Sequence, residues 1–583
     1  MIRVHSRTLW ALLEATAAKH PDRAALQQPL GGGKYRAWTW REYADIAREV
    51  AVGLRAMGVA KGEIVALASE TRAEFYLADQ GVMACGAIAA ALYTSLPPAE
   101  QARALRTSGA RVAFAETEAS VRALAASGEG PAEPVRWILL TGAAEGFDTL
   151  ESVRAEGRRV LASGGAAGPS AFERIRAEFD DSDHAILYMT SGATGEPKMG
   201  LVTHRAIVAN LDMGPHVLPL SAGDSTIAFL PSAHIAQRVV VELLPARDGA
   251  CVWFSESLSK LPAEMRAIKP TFFLAPPRVW ERVYSSITVE IRKRPAPVRS
   301  LFYAGVGLGS EAARLRLHGK PVPMWMRAAL RFFDRVLFAT IRERLGGRIR
   351  VAASGAAPLG KDLAEFYAAI GMPLIEGYGL TEGGVAALNP LHRPKPGSIG
   401  KLLPGYEARI EDDGELMLRG ACLFSGYFRD PAATAAVLRD GWLATGDIAE
   451  MDAEGYLYIT GRKKELIVSS NGKKIYPARI EALLKREPLI SHVLLVGDRM
   501  PYVTALLTVT GSLTEAHPAV EQAVKTANRE LADFERIRKF KILDREFSIE
   551  QGELTPTMKL RRNRVLENHR ELVNEMYVGR EAG

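Results

Sequence analysis

At 583 residues the chain is too long for one ordinary core, and two or more domains are expected. Hydrophobic content of 48% and charged content of 24% are those of a globular protein and exclude wholesale disorder. A formal charge of +7 is modest for this length; it suits polyanionic ligands or a membrane face, and no motif supports a nucleic-acid partner.

Arg3 and Arg7 precede the apolar residues 9–13, which stop at Glu14. That run is too short for a secretory segment and predicts the start of an amphipathic helix. From about 63 to 142, strands at 64–67, 111–114 and 137–140 alternate with helices through Leu77 and over 100–108, the pattern of parallel sheets covered by helices. The longest apolar run, 81–93, contains Gly81 and Gly86 and falls short of the roughly 20 residues of a membrane span. Cys85, Cys251 and Cys422 are far apart among apolar or small residues, so three buried thiols in a reducing, cytoplasmic setting are expected. Residues 163–170, rich in Gly and Ala, predict a surface connection.

The most telling stretch follows. The apolar run 185–189 predicts a buried strand that breaks into Thr190-Ser191-Gly192-Ala193-Thr194-Gly195-Glu196-Pro197-Lys198. A helix over 206–211 is predicted behind Thr203 as its cap. Strand, glycine-rich turn and helix let amides and hydroxyls surround a phosphate. Glu196 and Pro197 separate Gly195 from Lys198, so the spacing is not that of a Walker A loop. Strands at 227–230 and 272–274 continue the alternation. Ser354-Gly355-Ala356-Ala357-Pro358-Leu359 follows a strand-like 349–352, and Glu376-Gly377-Tyr378-Gly379-Leu380-Thr381-Glu382 follows the apolar 373–375. After about Gly397 the texture changes: 406–410 and 415–418 flank Asp412-Asp413-Gly414, a hairpin signal repeated over 449–460 around Glu454-Gly455. Trp442-Leu443-Ala444-Thr445-Gly446-Asp447, Gly461-Arg462-Lys463-Lys464-Glu465 and Leu554-Thr555-Pro556-Thr557-Met558-Lys559-Leu560 complete the series.

These six segments, in this order, resemble those of the adenylate-forming (AMP-binding) superfamily: acyl-CoA synthetases, luciferases and peptide-synthetase adenylation domains. The resemblance and the texture together imply an α/β fold. A large N-terminal region, residues 1–463, has parallel sheets covered by helices and a β-rich subdomain at about 397–463; a small mobile α+β C-terminal domain spans 464–583.

The resemblance implies two half-reactions, in which a carboxylate attacks the α-phosphorus of ATP and a thiol then attacks the acyl-adenylate. Such chemistry rests on positioning and charge neutralisation. By the same resemblance, Thr190, Ser191, Gly192, Thr194, Gly195 and Lys198 would hold the outer phosphates. Ala193 stands where threonine is commoner and Met199 where glycine is usual; the first removes a hydroxyl donor and the second touches only packing. Gly355, Ala356 and Ala357, with Glu376, Gly377, Tyr378 and Gly379, would form the adenine side, Tyr378 stacking on the base. Thr381 would donate to the α-phosphate, and Glu382 would bind Mg²⁺. Asp447 and Arg462 would take the ribose, and Lys559 would bridge carboxylate and α-phosphate. Lys464 would be the hinge and Gly472 would line the CoA path. His234 matches a position between acyl and nucleotide pockets, with a satisfied core histidine as the competing reading; His204 is expected to cap or pack its helix.

Two features are similar to the long-chain fatty acid–CoA ligase branch: the segment 269–282 and an insertion at about 291–347. Trp280 is assigned a tunnel-lining place. Met324, Trp325 and Met326 beside Arg327, Arg331 and Arg335 suit either a helix packed on the domain or one resting peripherally on an anionic membrane. Long-chain fatty acid, ATP and CoA are the expected substrates. The alternatives are an acyl-AMP ligase loading an acyl carrier protein, an aryl- or medium-chain acid–CoA ligase, and a nucleotide- or lipid-binding pseudoenzyme.

Overall fold

Short, wholly buried strands of small and branched residues organise the N-terminal region. Residues 64–68 read Ile-Val-Ala-Leu-Ala and 88–91 read Ile-Ala-Ala-Ala, and every one of these side chains is buried. Strands covered on both faces belong in a parallel sheet, and the computed structural model, which describes residues 7–163, 170–190, 198–555 and 558–578, places them in one. That sheet has eight strands in the order Gly426–Tyr427, Lys198–Thr203, His184–Thr190, Ile88–Ala91, Ile64–Ala68, Val112–Ala115, Arg136–Leu139 and Asp148–Thr149. Helices Trp40–Ala56 and Leu150–Ser163 cross above it at two glycines. A Cβ on Gly53 would lie 2.1 Å from the Val153 carbonyl, and one on Gly157 1.9 Å from that of Glu49. Thr39 and Glu42 close a capping box at the first of these helices.

A second sheet runs Phe272–Ala275, Val351–Ser354, Leu374–Leu380, Gly384–Leu388, Lys401–Leu402, its first three strands parallel. A third joins Ser225–Ala228, Cys251–Phe254, Ala24–Gly31 and Lys34–Thr39. The two hairpins foreseen after Gly397 form: Glu407–Ile410 pairs with Glu415–Arg419, and Trp442–Met451 with Leu457–Arg462. The β-rich segment is not self-contained, however. Lys401–Leu402 completes the second sheet, and Gly426–Tyr427 pairs with Lys198–Thr203 as the edge of the first.

The strand His184–Thr190 is followed by a second strand, Lys198–Thr203, and only then by helix His204–Val217, so the phosphate-loop segment joins an antiparallel hairpin. Lys198–Thr203 is only six residues long and its buried and half-buried residues do not alternate strictly, so it carries no clear strand period in sequence. Thr203 caps the helix as foreseen, accepting the Ala206 amide; His204 packs, stacking on Phe179 and accepting the Leu9 amide at Nδ1. Trp280 does not face a channel. It is fully buried against Phe273 and Tyr367 and donates to the Ala353 carbonyl, because the second core needs a large side chain under that strand. Cys85 and Cys422 are buried, but Cys251 is partly exposed.

Beyond the 3₁₀ turn Lys463–Glu465 comes the α+β domain. Its sheet runs Ile490–Val496, Val503–Val509, Ile537–Ile542, with helices Pro477–Leu484 and Leu513–Glu530 completing its own core. No helix among the described residues is long and apolar enough to cross a membrane.

Candidate active site

The C-terminal ends of parallel strands are where an open α/β sheet offers space for ligands. Here a cleft of about 4550 Å³ opens beyond the strands Val351–Ser354 and Leu374–Leu380 and is closed from above by the C-terminal domain. Lys198, His234, Gly355, Ala356, Ala357, Glu376, Gly377, Tyr378, Gly379, Thr381, Glu382, Asp447, Arg462, Lys464 and Lys559 all line it. Thr190 ends the strand that pairs with Lys198; Ser191, Gly192, Thr194 and Gly195 lie outside the described residues. Gly472 is not brought to this cleft. It occupies a turn at φ +72°, its amide bonded to the Ser469 carbonyl, with open space around it.

The turn after Val351–Ser354 places Ala356 at φ +70°, a conformation that side-chain-bearing residues seldom adopt. Glu376 stabilises it. Its buried carboxyl accepts the Leu359 amide at 2.9 Å, and burial, partly offset by that bond, pushes it up to about 8. Glu376 thus supports the wall of the cleft. Gly379 is required by close approach, since a Cβ there would meet the Gly384 carbonyl at 2.6 Å.

Asp447 and Arg462 face each other across paired strands and form an ion pair of 2.8 Å. The Tyr378 hydroxyl donates to the other Asp447 oxygen at 2.6 Å, which fixes the ring beside that carboxylate. Glu382 accepts the Tyr427 hydroxyl at 2.7 Å, and the Lys198 ammonium lies 4.9 Å from the centre of the same ring. Tyr427 was missed in the sequence: it sits on a two-residue strand, too short to carry any period. Asn210 was also missed. Buried on helix His204–Val217, its amide exchanges hydrogen bonds with both backbone groups of Val385 and pins the strand after the Thr381–Glu382 turn.

Lys559 reaches the cleft from a tight loop. Leu554 and Leu560 pair at its base, Thr555 donates its amide to the Lys559 carbonyl at 2.8 Å, and the Thr555 hydroxyl accepts the Lys559 amide at 3.0 Å. Below the loop Glu553 is wholly buried. Burial would raise its carboxyl, but Arg545, Asn568 and His569 outweigh this and hold it at about 2. The Lys559 side chain is reached by water from the cleft yet closely surrounded by protein. That crowding first, and the Arg462 guanidinium second, lower it to about 8, against Asp447, Glu465 and Glu382.

His234 accepts the Ala236 amide at Nδ1, so the neutral ring carries its proton on Nε2. Burial first and Lys559 second keep it neutral, down to about 3. Past His234 the lining turns apolar: Leu211, Gly214 and Val217 on one helix, with Val239 in the π-helical turn Gln237–Leu243 and Ile235 and Leu244 on either side of it. The described residues hold no cluster of three or more metal-ligating side chains. Glu382 alone fits a Mg²⁺ ion that takes its other ligands from phosphate and water.

The closed arrangement has its own contacts between domains. Arg278 donates to His492 Nε2 and to Glu546 at 3.2 Å, Arg486 pairs with Asp362, and Arg561 lies 3.6 Å from Glu100.

The chain is similar to known proteins over most of its length. The family model described as AMP-binding enzyme matches residues 13–428, and that of the AMP-binding enzyme C-terminal domain matches 464–581. The long-chain-fatty-acid–CoA ligase FadD15 of Mycobacterium tuberculosis is 35% identical over 96% of this chain and 95% of its own length. The human long-chain-fatty-acid–CoA ligase ACSBG2 is 24% identical over 94% of this chain and 89% of its own. Among solved structures, the anthranilate CoA ligase AuaEII in complex with anthranoyl-AMP has a TM-score of 0.75 at 21% identity, covering 98% of each chain. The adenylation domain of a carboxylate reductase from Mycobacterium chelonae has a TM-score of 0.77 at 21% identity, over 98% of this chain and 91% of that one. The chain belongs to the AMP-binding enzyme family.

Proposed function

We propose that this protein activates a long-chain fatty acid through an acyl-adenylate to its CoA thioester, with release of AMP and pyrophosphate. The observation that carries the reading is one cleft in which a lysine from the C-terminal domain meets Asp447, Arg462, Tyr378, Thr381 and Glu382, continued past His234 by an apolar channel. Full-length similarity to long-chain-fatty-acid–CoA ligases supports the choice of acid and acceptor.

In the first step a carboxylate oxygen of the acid bonds to the α-phosphorus and the bond to pyrophosphate breaks. Lys559 would neutralise charge on the carboxylate and the α-phosphate, and the Thr381 hydroxyl would donate a hydrogen bond to the α-phosphate. His234 would offer its Nε2 proton toward the acid. Asp447 would accept the ribose hydroxyls, and Tyr378 would lie against the base. Thr190, Ser191, Gly192, Thr194, Gly195 and Lys198 would hold the leaving pyrophosphate. Glu382 would hold Mg²⁺, which supplies charge neutralisation on the phosphates. In the second step the CoA sulfur bonds to the acyl carbon, the thiol proton is lost and AMP departs. Rotation about Lys464 would withdraw Lys559 and bring the Gly472 turn to the site. A peripheral membrane contact through residues 291–347 belongs to the same reading.

The test is incubation with ATP, Mg²⁺ and palmitate, with and without CoA, resolved by mass spectrometry. Palmitoyl-CoA with AMP is expected. Palmitoyl-AMP without thioester would move the acceptor to a carrier protein, and adenylate only with aromatic or shorter acids would overturn the long-chain assignment.

A further inference from the structure

Arginine is almost never fully buried unless it is paired, and Arg238, four residues past His234, is wholly enclosed. It stands in the π-helical turn Gln237–Leu243. Its guanidinium donates to both oxygens of Asp79, which is itself wholly buried on helix Ala73–Ala84. It also donates to the Ala89 carbonyl at 3.5 Å and lies 5.7 Å from the centre of the Tyr188 ring, on the strand that ends at Thr190. Glu242, in the same π-helical turn, is buried beside Asp79. The cluster thus holds two carboxyls and one cation. Burial first, and the Asp79 charge second, raise Glu242 well above its ordinary range and leave it a neutral donor to Asp79. Gln237 adds a bond of 2.9 Å to the hydroxyl of Tyr76, one turn before Asp79 on the same helix.

Arg238 and Glu242 bracket Val239 and Val240, which line the apolar channel beyond His234. The Arg238 amide donates to the His234 carbonyl at 3.0 Å, so the start of the turn is tied to the site as well. The turn is wound wide, for the Leu244 amide reaches back five residues to the Val239 carbonyl. Turns of this kind are rare and occur mostly as single inserts, frequently at functional sites. A buried ion pair is weak evidence for stability, because apolar side chains of similar volume often serve as well. What its directional bonds add is a choice of one backbone course. We propose that Arg238, Asp79 and Glu242 are positioning residues that fix the π-helical turn from behind, and so set the bore of the acyl channel at Val239 and Val240 and its preference for long chains. Were the turn to relax to an α-helix, its bonds would shorten from five residues to four, and Val239 and Val240 would rotate relative to the channel. The inference rests on the ligase reading for the identity of what fills the channel.

The test measures kcat/KM for octanoate, laurate and palmitate in Glu242→Gln, Glu242→Leu and the double variant Asp79→Leu/Arg238→Met. Arg238 is not replaced alone, because two buried carboxyls without a cation threaten the fold, whereas the double exchange removes both charges of the pair. Glu242→Gln keeps the shape and a donor for Asp79, and should keep the palmitate-to-octanoate ratio of the unaltered protein. In Glu242→Leu and in the double variant that ratio should fall at least about fourfold, the worth of one methylene no longer received. The fall should lie in a higher KM for palmitate, with KM for ATP unchanged. An unchanged ratio in either of these two, shown folded by a cooperative melt, would overturn the proposal. So would an equal rise in KM for ATP, or a ratio in Glu242→Gln that falls with the others. If the unaltered protein forms no acyl-CoA from any acid, the ligase reading fails by itself, and the same ratio is read from binding of palmitate and octanoate by calorimetry.

Discussion

Lys559 gives the sharpest test, because its charge is both necessary to the proposed first step and weakly held. With its ammonium lowered from 10.5 to about 8, the free enzyme is about 90% protonated at pH 7 and about 10% at pH 9. Adenylation measured as kcat/KM, which reports the free enzyme, should therefore fall roughly tenfold between those values. Titration of this lysine does not itself destabilise the fold. A lysine lowered in the folded state binds fewer protons there than in the unfolded chain between about 8 and 10.5, so its contribution to stability rises with pH across that window. Lys559→Ala should lower adenylation by about 10²–10³, the usual cost of losing one donor to developing charge, and should abolish the alkaline limb while ATP still binds. Arg462→Gln removes the second cause of the shift and should move the limb to higher pH. The assay is ATP–pyrophosphate exchange with palmitate. A limb that persists in Lys559→Ala, or that moves downward in Arg462→Gln, would refute the reasoning.

Tyr427→Phe removes the 2.7 Å bond to Glu382 and should weaken binding of magnesium–ATP about tenfold, the effect of a ~1.4 kcal/mol contact to a charged acceptor, read by calorimetry across a magnesium titration. Arg278→Ala breaks the contacts to His492 and Glu546. Adenylation should fall about three- to tenfold, while thioester formation from supplied palmitoyl-AMP is unchanged; equal loss in both would show that Arg278 does not favour one domain arrangement. Gly214→Ala would set a Cβ 2.7 Å from Leu244 on the channel wall. The preference for palmitate over octanoate should drop about fourfold for each methylene excluded, at ~0.8 kcal/mol apiece. Arg238→Met leaves Asp79, and the neighbouring Glu242 that burial already raises well above its ordinary range, without their cation. Urea denaturation should show a loss of about 3–5 kcal/mol.

What the sequence disclosed and what it hid divide along a physical line. Segments whose chemistry needs particular residues in a row were legible: the strand before Thr190, the turn 354–359, the strand carrying Tyr378, the pair Asp447 and Arg462, and the loop ending in Lys559. Some are held by partners close along the chain, as Thr555 holds Lys559 four positions on and Glu376 engages Leu359 seventeen positions back. What stayed hidden depends on partners far away along the chain. Tyr427 acquires a role only because its two-residue strand pairs with Lys198–Thr203, where it lies across from Gly200, 227 positions earlier. Asn210 matters through Val385, and His492 through Arg278. Trp280 was misplaced for the converse reason. A motif shared with long-chain ligases suggested contact with substrate, whereas Phe273, Tyr367 and the Ala353 carbonyl enclose it completely. The basic helix shows both forces at once. The packed face of helix Met324–Phe333 and its continuation follows from the apolar residues that meet the second core, Phe338 and Ile341 among them, whereas Met324, Trp325, Phe332 and Val336 stay exposed.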